Sequence, residues 1–385
     1  MNPLLARLQP YPFERLRALL AGARPDPKLR PIDLSIGEPR HPTPQFIRQA
    51  LCDSLDGLSA YPRTAGQPEL RSAISGWLAR RYGIPAPDPE TQVLPVNGSR
   101  EALFSFAQAI VDPGKPNARV VTPNPFYQIY EGAALLAGAR PLYAGNALQI
   151  ESWDGVQLVY VCSPGNPTGR VIPLAEWKRL FELSERHGFV IASDECYSEL
   201  YYGNGPALGA LEAAHRLGRK DYERLAVFSS LSKRSNVPGM RSGFVAGDAA
   251  LLKSFLLYRT YHGSAMSVAV QKASLAAWSD ERHVEENRRL YAEKFAAVLP
   301  LIRDPLQADM PDGGFYLWMR TPVEDGEFTR RLHEEQNVLV LPGSYLARDA
   351  AGANPGRNRV RVALVPPLAE CLEAIGRIMQ FTRDL

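Results

Sequence analysis

The sequence LVYVCSPGNPTG, residues 158–169, decides the fold of this chain. Its first five residues are apolar without alternation, which is typical of a strand buried on both faces of a parallel sheet. The turn-forming residues that follow indicate a loop at the carboxyl end of that strand. FVIAS, residues 189–193, repeats the pattern and ends at Asp194. Between residues 44 and 246 such strands alternate with helical patterns, so we predict an α/β protein whose parallel sheet is covered by helices.

Beyond residue 277 the pattern changes. A charged amphipathic segment, residues 281–299, precedes short strands separated by helices, which is typical of a smaller α+β unit. We therefore divide the 385 residues into a large domain over 46–280 and a small domain that combines 1–45 with 281–385. Residues 145–155 leave room for little helix in a parallel crossover. Either this crossover is truncated or residues of a loop are absent from the sequence.

The composition excludes several classes of protein. Apolar residues make up 45% and charged residues 22%, as in an ordinary globular protein. The 44 basic and 41 acidic residues are scattered, so we predict no nucleic-acid or membrane partner. The four cysteines (52, 162, 196 and 371) form no CxxC pair, which argues against a metal site or a disulfide framework. Without a signal peptide or an apolar span, the chain is predicted to be cytoplasmic.

Candidate site residues follow the predicted strands, because ligands of doubly wound sheets bind outside the carboxyl ends of the strands. Asn97-Gly98-Ser99-Arg100 opens a helix, whose free N–H groups suit a phosphate. The other strand ends carry SPGNPTG (163–169), DECY (194–197) and SLSKR (230–234) followed by Arg241. Taken singly, each of these is also explained as a helix cap, a loop or an exposed lysine.

Taken together, these residue types meet the requirements of pyridoxal 5′-phosphate (PLP). A lysine amine forms a Schiff base with an aldehyde, and cations such as Arg234 and Arg241 favour its neutral form. A buried aspartate keeps a pyridine nitrogen protonated, so that the ring accepts carbanion electrons. Asparagine and tyrosine side chains hydrogen-bond a phenolic oxygen. The order of these motifs along the chain therefore predicts a PLP enzyme.

At this point the sequence resembles a known family. NGSREAL, SPGNPTG, DECY, SLSKR, PDGGFY and RVRVAL, with Gly37, Tyr61 and Arg241, resemble the class I/II aminotransferases of PLP fold type I. The resemblance covers essentially the whole chain. It implies a large PLP-binding domain with a mainly parallel seven-stranded sheet, a smaller α+β domain from both chain ends, and a homodimer with sites at its interface.

The resemblance also implies roles for individual residues around the cofactor ring. Lys233 carries the cofactor as the internal aldimine and moves the proton between the substrate Cα and the cofactor C4′. Asp194 pairs with the pyridinium nitrogen, while Asn166 and Tyr197 contact the ring oxygen. Tyr127 stacks on the ring, with Phe126 as the competing choice.

A second set of implied roles concerns the two anionic groups. The cofactor phosphate is held by Ser99, Arg100, Ser230, Arg241 and, reaching over from the partner subunit, Tyr61. Arg361 binds the substrate α-carboxylate, a task that suits its planar fork of donors, and Gly37 and Asn166 lie beside that carboxylate.

Four segments resemble, more specifically, the bacterial succinyldiaminopimelate aminotransferases: residues 2–20, 59–74, 231–248 and 258–267. This implies ping-pong transamination between N-succinyl-LL-2,6-diaminopimelate and 2-oxoglutarate (EC 2.6.1.17), in lysine and diaminopimelate biosynthesis. Distal carboxylates of that substrate need donors, and Lys28, Arg63 and Arg259 are candidates. The favoured interpretation of these three residues is nevertheless a solvated surface charge.

Other activities remain open on the sequence alone. The same machinery serves aspartate, alanine, aromatic and acetylornithine-type aminotransferases and PLP-dependent β-lyases. Ser230 and Lys233 also match the SxxK motif of serine acyl-enzymes, but the KTG-type triad that accompanies that motif is absent from the sequence. A non-catalytic PLP-binding regulator would need a DNA-binding segment, and neither end of the sequence supplies one.

Overall fold

The computed structural model describes residues 1–203, 205–350 and 352–385. The strands, in chain order, are β1 (Ile32–Asp33), β2 (Val93–Val96), β3 (Arg119–Pro123), β4 (Arg140–Ala144), β5 (Val156–Cys162), β6 (Val190–Asp194), β7 (Leu225–Ser230), β8 (Gly243–Gly247), β9 (Tyr316–Arg320), β10 (Val338–Leu339), β11 (Leu341–Pro342) and β12 (Arg359–Ala363). The α-helices are α1 (Pro12–Leu19), α2 (Gln45–Cys52), α3 (Pro68–Tyr82), α4 (Ser99–Ile110), α5 (Ile129–Leu136), α6 (Leu174–His187), α7 (Ala210–Arg216), α8 (Leu231–Arg234), α9 (Ala249–His262), α10 (Val268–Trp278), α11 (Arg282–Val298), α12 (Asp325–Gln336) and α13 (Leu368–Arg383).

The central sheet confirms the predicted fold class. Within the described residues it has seven strands in the order β2-β8-β7-β6-β5-β3-β4, and β8 alone runs antiparallel to its neighbours. Every residue of β6, β7 and β8 is buried, which explains their continuous apolar sequences. One face of the sheet packs on a core around Trp77, Trp177 and Trp278, and the other on a core around Phe106 and Phe255.

Two smaller sheets lie beside this layer. β9, β12 and β11 form an antiparallel sheet in which Arg361 is opposite Trp318. β1 pairs in parallel with β10, so that Ile32 is opposite Val338. Side chains of α11, α12 and α13 close a third core over these strands. The two ends of the chain therefore meet in one packed unit, although the boundaries at residues 45 and 281 stay a prediction.

Two local features differ from the sequence patterns. One of the short strands predicted beyond residue 277, at residues 338–341, divides into β10 and β11, because the chain leaves β1 at Val340 and joins β12. Helices α7, α8, α9 and α10 were not predicted. α10 packs against both α2 and α3, so apolar side chains lie on more than one side and form no single stripe. β4 is joined to β5 by one 3₁₀ turn, Ala147–Gln149, in agreement with the prediction that residues 145–155 hold little helix.

No helix within the described residues is both long and apolar enough to cross a membrane.

Candidate active site

A cleft of about 460 Å³ opens at the carboxyl ends of the parallel strands, within the usual size range of small-molecule sites. The sequence-predicted residues that line it are Gly37, Ser99, Arg100, Tyr127, Asn166, Asp194, Tyr197, Ser230, Lys233, Arg241 and Arg361. These residues come from distant parts of the sequence and from both the central and the smaller sheets. Tyr61 lies outside the cleft with a fully exposed side chain, so its action across a dimer interface stays a prediction.

Lys233 reaches the cleft from the short helix α8, directly after β7. Ser230 caps this helix by accepting a hydrogen bond from the Ser232 N–H at 3.1 Å. The Lys233 Nζ donates to the Gly37 carbonyl oxygen at 2.5 Å. Burial lowers the pKa of Lys233 to about 8, and the charges of Arg361 and Arg241 act in the same direction. Near neutral pH a useful fraction of this amine is therefore neutral and nucleophilic.

Arg234, the other cation predicted to act on this lysine, does not belong to the cleft. Its buried guanidinium bonds the Glu281 carboxylate at 2.5 Å and the Ala277 carbonyl at 2.7 Å, and it lies over the ring of Trp278. Because α8 is helical, consecutive side chains point in different directions, and only Lys233 of this pair faces the cleft. Arg361, and not Arg234, is the cation that acts with Arg241 to lower the pKa of Lys233.

Asp194 ends β6 at the base of the cleft, where it is buried. Its carboxylate accepts hydrogen bonds from the Tyr130 hydroxyl at 2.6 Å and from the Cys196 N–H at 3.2 Å. Burial raises the pKa of Asp194 and these two hydrogen bonds oppose the rise. The described part of the chain provides no salt-bridge partner for this carboxylate. A cationic ring nitrogen at this position would provide the charge partner that the described residues do not supply.

An anion cradle surrounds the N-terminus of α4. Gly98 precedes the helix with φ +87°, and a Cβ there would lie 2.3 Å from Nη2 of Arg241. The Arg241 guanidinium therefore packs on bare backbone beside Ser99 and the helix N–H groups. Arg100, the next residue of the helix, donates from Nε to the Tyr127 hydroxyl at 2.6 Å. The Arg241 cation, the nearby hydroxyl groups and the dipole of α4 together suit a phosphate.

Arg361 enters the cleft from β12. Its guanidinium donates to Asn166 Oδ1 at 3.1 Å and to the Ser35 carbonyl at 2.8 Å, and it lies 4.4 Å from the ring centre of Tyr316. The buried Nε has no hydrogen-bond partner among the residues that the structure describes. Gly37 is required here, because a Cβ at that position would overlap the Tyr316 hydroxyl. The arrangement holds a planar cation in place for a carboxylate.

Several site residues escaped the sequence analysis. Tyr130 donates to Asp194, and Tyr316 lies 3.0 Å from the Tyr197 hydroxyl, oxygen to oxygen. Tyr11 and Phe13 line the mouth of the cleft. The sequence could have indicated two of these as site residues. Tyr130 lies three residues after Tyr127, a spacing that repeats on one helix face, and Tyr316 is the last residue of the PDGGFY motif.

Other candidates do not reach the cleft. Phe126 is fully buried in the core, whereas Tyr127 lines the cleft and is the aromatic ring available to a ligand. Lys28 and Arg63 are exposed and lie outside the cleft. The interpretation of Arg259 as a surface charge was wrong, because Arg259 is buried and pairs with Glu101 at 2.5 Å. None of these other candidates lines the cleft of its own chain.

The cleft thus combines a lysine of lowered pKa, an unpaired buried carboxylate and an anion cradle, and these three features suit PLP. They define the site of a PLP-dependent enzyme of the α/β class.

The chain belongs to the aminotransferase class I and II family, which matches residues 30–378 and depends on PLP. It is 31% identical to an LL-diaminopimelate aminotransferase of Nitratidesulfovibrio vulgaris, over 97% of both proteins. A crystal structure of an aminotransferase from Neisseria meningitidis shares 51% identity, with a TM-score of 0.96 over 100% of both chains. A probable N-succinyldiaminopimelate aminotransferase from Thermus thermophilus shares 27% identity, with a TM-score of 0.84 over 96% of this chain and 99% of that one.

Proposed function

We propose that this aminotransferase exchanges an amino group between N-succinyl-LL-2,6-diaminopimelate and 2-oxoglutarate, within lysine and diaminopimelate biosynthesis. The observation that carries the proposal is the position of Tyr11, Pro12 and Phe13 at the cleft. These residues belong to the N-terminal segment, residues 2–20, whose sequence resembles the succinyldiaminopimelate aminotransferases. The Thermus thermophilus protein is named a probable N-succinyldiaminopimelate aminotransferase, and the Nitratidesulfovibrio vulgaris protein is named for the unsuccinylated compound.

The residues of the cleft support the transfer chemistry. When bound, PLP supplies an aldehyde for amine exchange and a ring that accepts electrons. Asp194 would hold the ring nitrogen, Asn166 and Tyr197 the ring oxygen, and Tyr127 the ring face. The phosphate would be bound by Ser99, Arg100, Ser230 and Arg241.

Lys233 and Arg361 act on the substrate in this proposal. Arg361 binds the α-carboxylate, and this contact brings the substrate Cα toward the lysine. The neutral Lys233 amine removes the Cα proton of the amino donor. The ammonium so formed would give that proton to the cofactor C4′, and in the second half-reaction Lys233 would carry a proton from C4′ back to the Cα of the product amino acid, as ping-pong exchange requires.

A panel of amino donors with 2-oxoglutarate tests the substrate, with glutamate formation as the readout and Lys233→Ala as the inactive control. We expect N-succinyl-LL-diaminopimelate to give the highest kcat/KM. A higher value for LL-diaminopimelate would favour the second candidate, LL-diaminopimelate aminotransferase, which the 31% identical relative supports. Faster turnover of aspartate, alanine, an aromatic amino acid or N-acetylornithine would refute both. Release of ammonia and pyruvate without 2-oxoglutarate would indicate a β-lyase.

We also infer a cytoplasmic homodimer in which Tyr61 reaches the phosphate of the partner's cofactor. The support is the exposure of four large apolar or aromatic side chains, Leu58, Tyr61, Leu257 and Tyr261. Sedimentation of the purified protein tests the dimer. Mixing Tyr61→Phe with Lys233→Ala subunits tests the crossed site, since the hybrid should recover one intact site. Cell fractionation tests the location.

A further inference from the structure

A second set of contacts holds Lys233 from outside the cleft. Asn287, on α11, is fully buried, and its Nδ2 donates to the backbone carbonyls of Lys233 at 3.0 Å and Arg234 at 3.3 Å. Its Oδ1 accepts from Asn236 Nδ2 at 3.0 Å and faces His41 Nδ1 at 2.8 Å. The amide thus uses both donors and both acceptor positions.

These contacts fix the proton on His41. Because Nδ2 of Asn287 is bound to two carbonyls, the atom that faces the histidine is an oxygen, and Nδ1 of His41 must donate. The other ring nitrogen, Nε2, lies 2.8 Å from Lys294 Nζ and accepts a hydrogen bond from it. Lys294 also donates to the Val365 carbonyl at 3.1 Å. The imidazole is therefore neutral, with its two nitrogens in different roles.

The histidine belongs to the loop that meets the other end of Lys233. Gly37, four residues before His41, accepts the hydrogen bond from Lys233 Nζ. Lys233 is therefore bound at both ends to one connected structure: its carbonyl to Asn287, and its amine to the loop that Asn287 holds through His41. Movement of either contact would change the distance between the amine and its backbone anchor.

We propose that Asn287 and His41 are positioning residues that hold the Lys233 amine at its working place in the cleft. They touch neither cofactor nor substrate and act through the backbone of Lys233 and the loop of residues 37–41. The inference rests on Lys233 as the cofactor lysine but not on the identity of the amino donor.

Variants of His41 test this role, because the amide group of asparagine or of glutamine can take the place of one of the two ring nitrogens. His41→Asn keeps a donor near the Nδ1 position, and His41→Gln keeps an acceptor near Nε2. Asn287→Ala removes the hydrogen bonds to the Lys233 and Arg234 carbonyls and to His41 together. Asn337→Ala is the matched control, since Asn337 is also buried and donates to a backbone carbonyl, that of Leu29, away from the cleft.

Two readouts separate positioning from stability: the rate at which the apoenzyme captures PLP, followed by absorbance, and kcat against KM. We expect Asn287→Ala and His41→Gln to lower both rates roughly 10- to 100-fold, because misplacement by about 1 Å has effects of this size. KM should change less, since Arg361 is untouched. His41→Asn and Asn337→Ala should keep near-normal rates even if their melting temperatures fall.

The proposal is overturned if Asn287→Ala captures PLP as fast as Asn337→Ala, or if the two histidine variants behave alike. Should Asn287→Ala fail to fold, the histidine pair decides the question by itself. A wild-type enzyme that captures PLP without a bond to Lys233 would instead refute the assignment of the lysine.

Discussion

Gly98→Ala is predicted to disconnect Arg241 from the cofactor phosphate. The added Cβ would lie 2.3 Å from Arg241 Nη2, whereas ordinary contacts begin at 3.4 Å, so the guanidinium must move by about 1 Å. A shift of that size lengthens a hydrogen bond of about 2.9 Å beyond its useful range. Loss of a charge-assisted hydrogen bond is worth about 1.5–3 kcal/mol, or roughly 10- to 150-fold in Kd for PLP.

Backbone strain has to be separated from this effect. Gly98 has φ +87° and ψ 153°, a region almost restricted to glycine, so the variant should also lose about 1–3 kcal/mol of stability. Gly188→Ala is the control, because Gly188 has φ +76° and space for a Cβ, at the end of α6. It should lower the melting temperature and leave the Kd for PLP unchanged.

Fluorescence titration of the apoenzyme with PLP measures the affinity, and thermal unfolding of the same samples measures the stability. A double-mutant cycle with Arg241→Met isolates the contact, since Gly98→Ala should weaken PLP binding less when the guanidinium is already gone. The reasoning is refuted if Gly98→Ala binds PLP as tightly as Gly188→Ala. Equal losses in the two backgrounds would likewise exclude Arg241 as the cause.

Three further predictions concern the catalytic groups. Capture of PLP by the apoenzyme should accelerate as pH rises, with a midpoint near pH 8. The neutral Lys233 amine is the nucleophile, and burial lowers its pKa to about 8 from 10.5. Stopped-flow absorbance measures the capture rate, and it would show a midpoint near 10.5 if burial did not lower this pKa. Asp194→Asn should keep the Tyr130 contact but remove the buried charge that pairs with the ring nitrogen. Loss of such a pair is worth about 3–5 kcal/mol, so kcat should fall by hundreds- to thousands-fold. A nearly normal kcat in steady-state kinetics would exclude the pairing with the ring nitrogen. Arg361→Lys should lower kcat/KM roughly 10- to 100-fold, since lysine lacks the planar fork of donors; an equal loss with amines that have no α-carboxylate would contradict this role.

The sequence predicted the architecture where local pattern and tertiary environment agree. β6 and β7 are buried on both faces, so their apolar runs report their place in the sheet directly. Asp194 and Lys233 follow such strands, and position at a strand end is enough to bring them to one edge. α10 was missed because it contacts neighbours on more than one side, and its sequence has no single apolar stripe.

The direction of side chains was harder to predict than their location. Arg234 and Lys233 are neighbours in sequence, but the buried Arg234 side chain bonds Glu281 away from the cleft, whereas Lys233 enters the cleft. Arg259 looked like a surface charge because its partner, Glu101, is 158 residues away. Tyr130 reaches Asp194 across 64 residues. Such pairs depend on the packed structure. The spacing of Tyr130 from Tyr127 could mark it as a site residue, but nothing local in the sequence identifies Asp194 as its partner or Glu101 as the partner of Arg259.

The pairing of β1 with β10 has a consequence for the order in which the protein is made. Ile32 meets Val338, and Arg361, which completes the cleft, comes later still. At about 5–20 residues per second, the ribosome needs roughly 15–60 s to make the residues that separate these two strands. Residues 194 and 233 are synthesised within that time, while the first strand still has no partner. Lys233 is therefore made well before Arg361, which both helps to lower its pKa and completes the cleft, so the reactive amine and the group that binds a carboxylate become available together, in the finished chain.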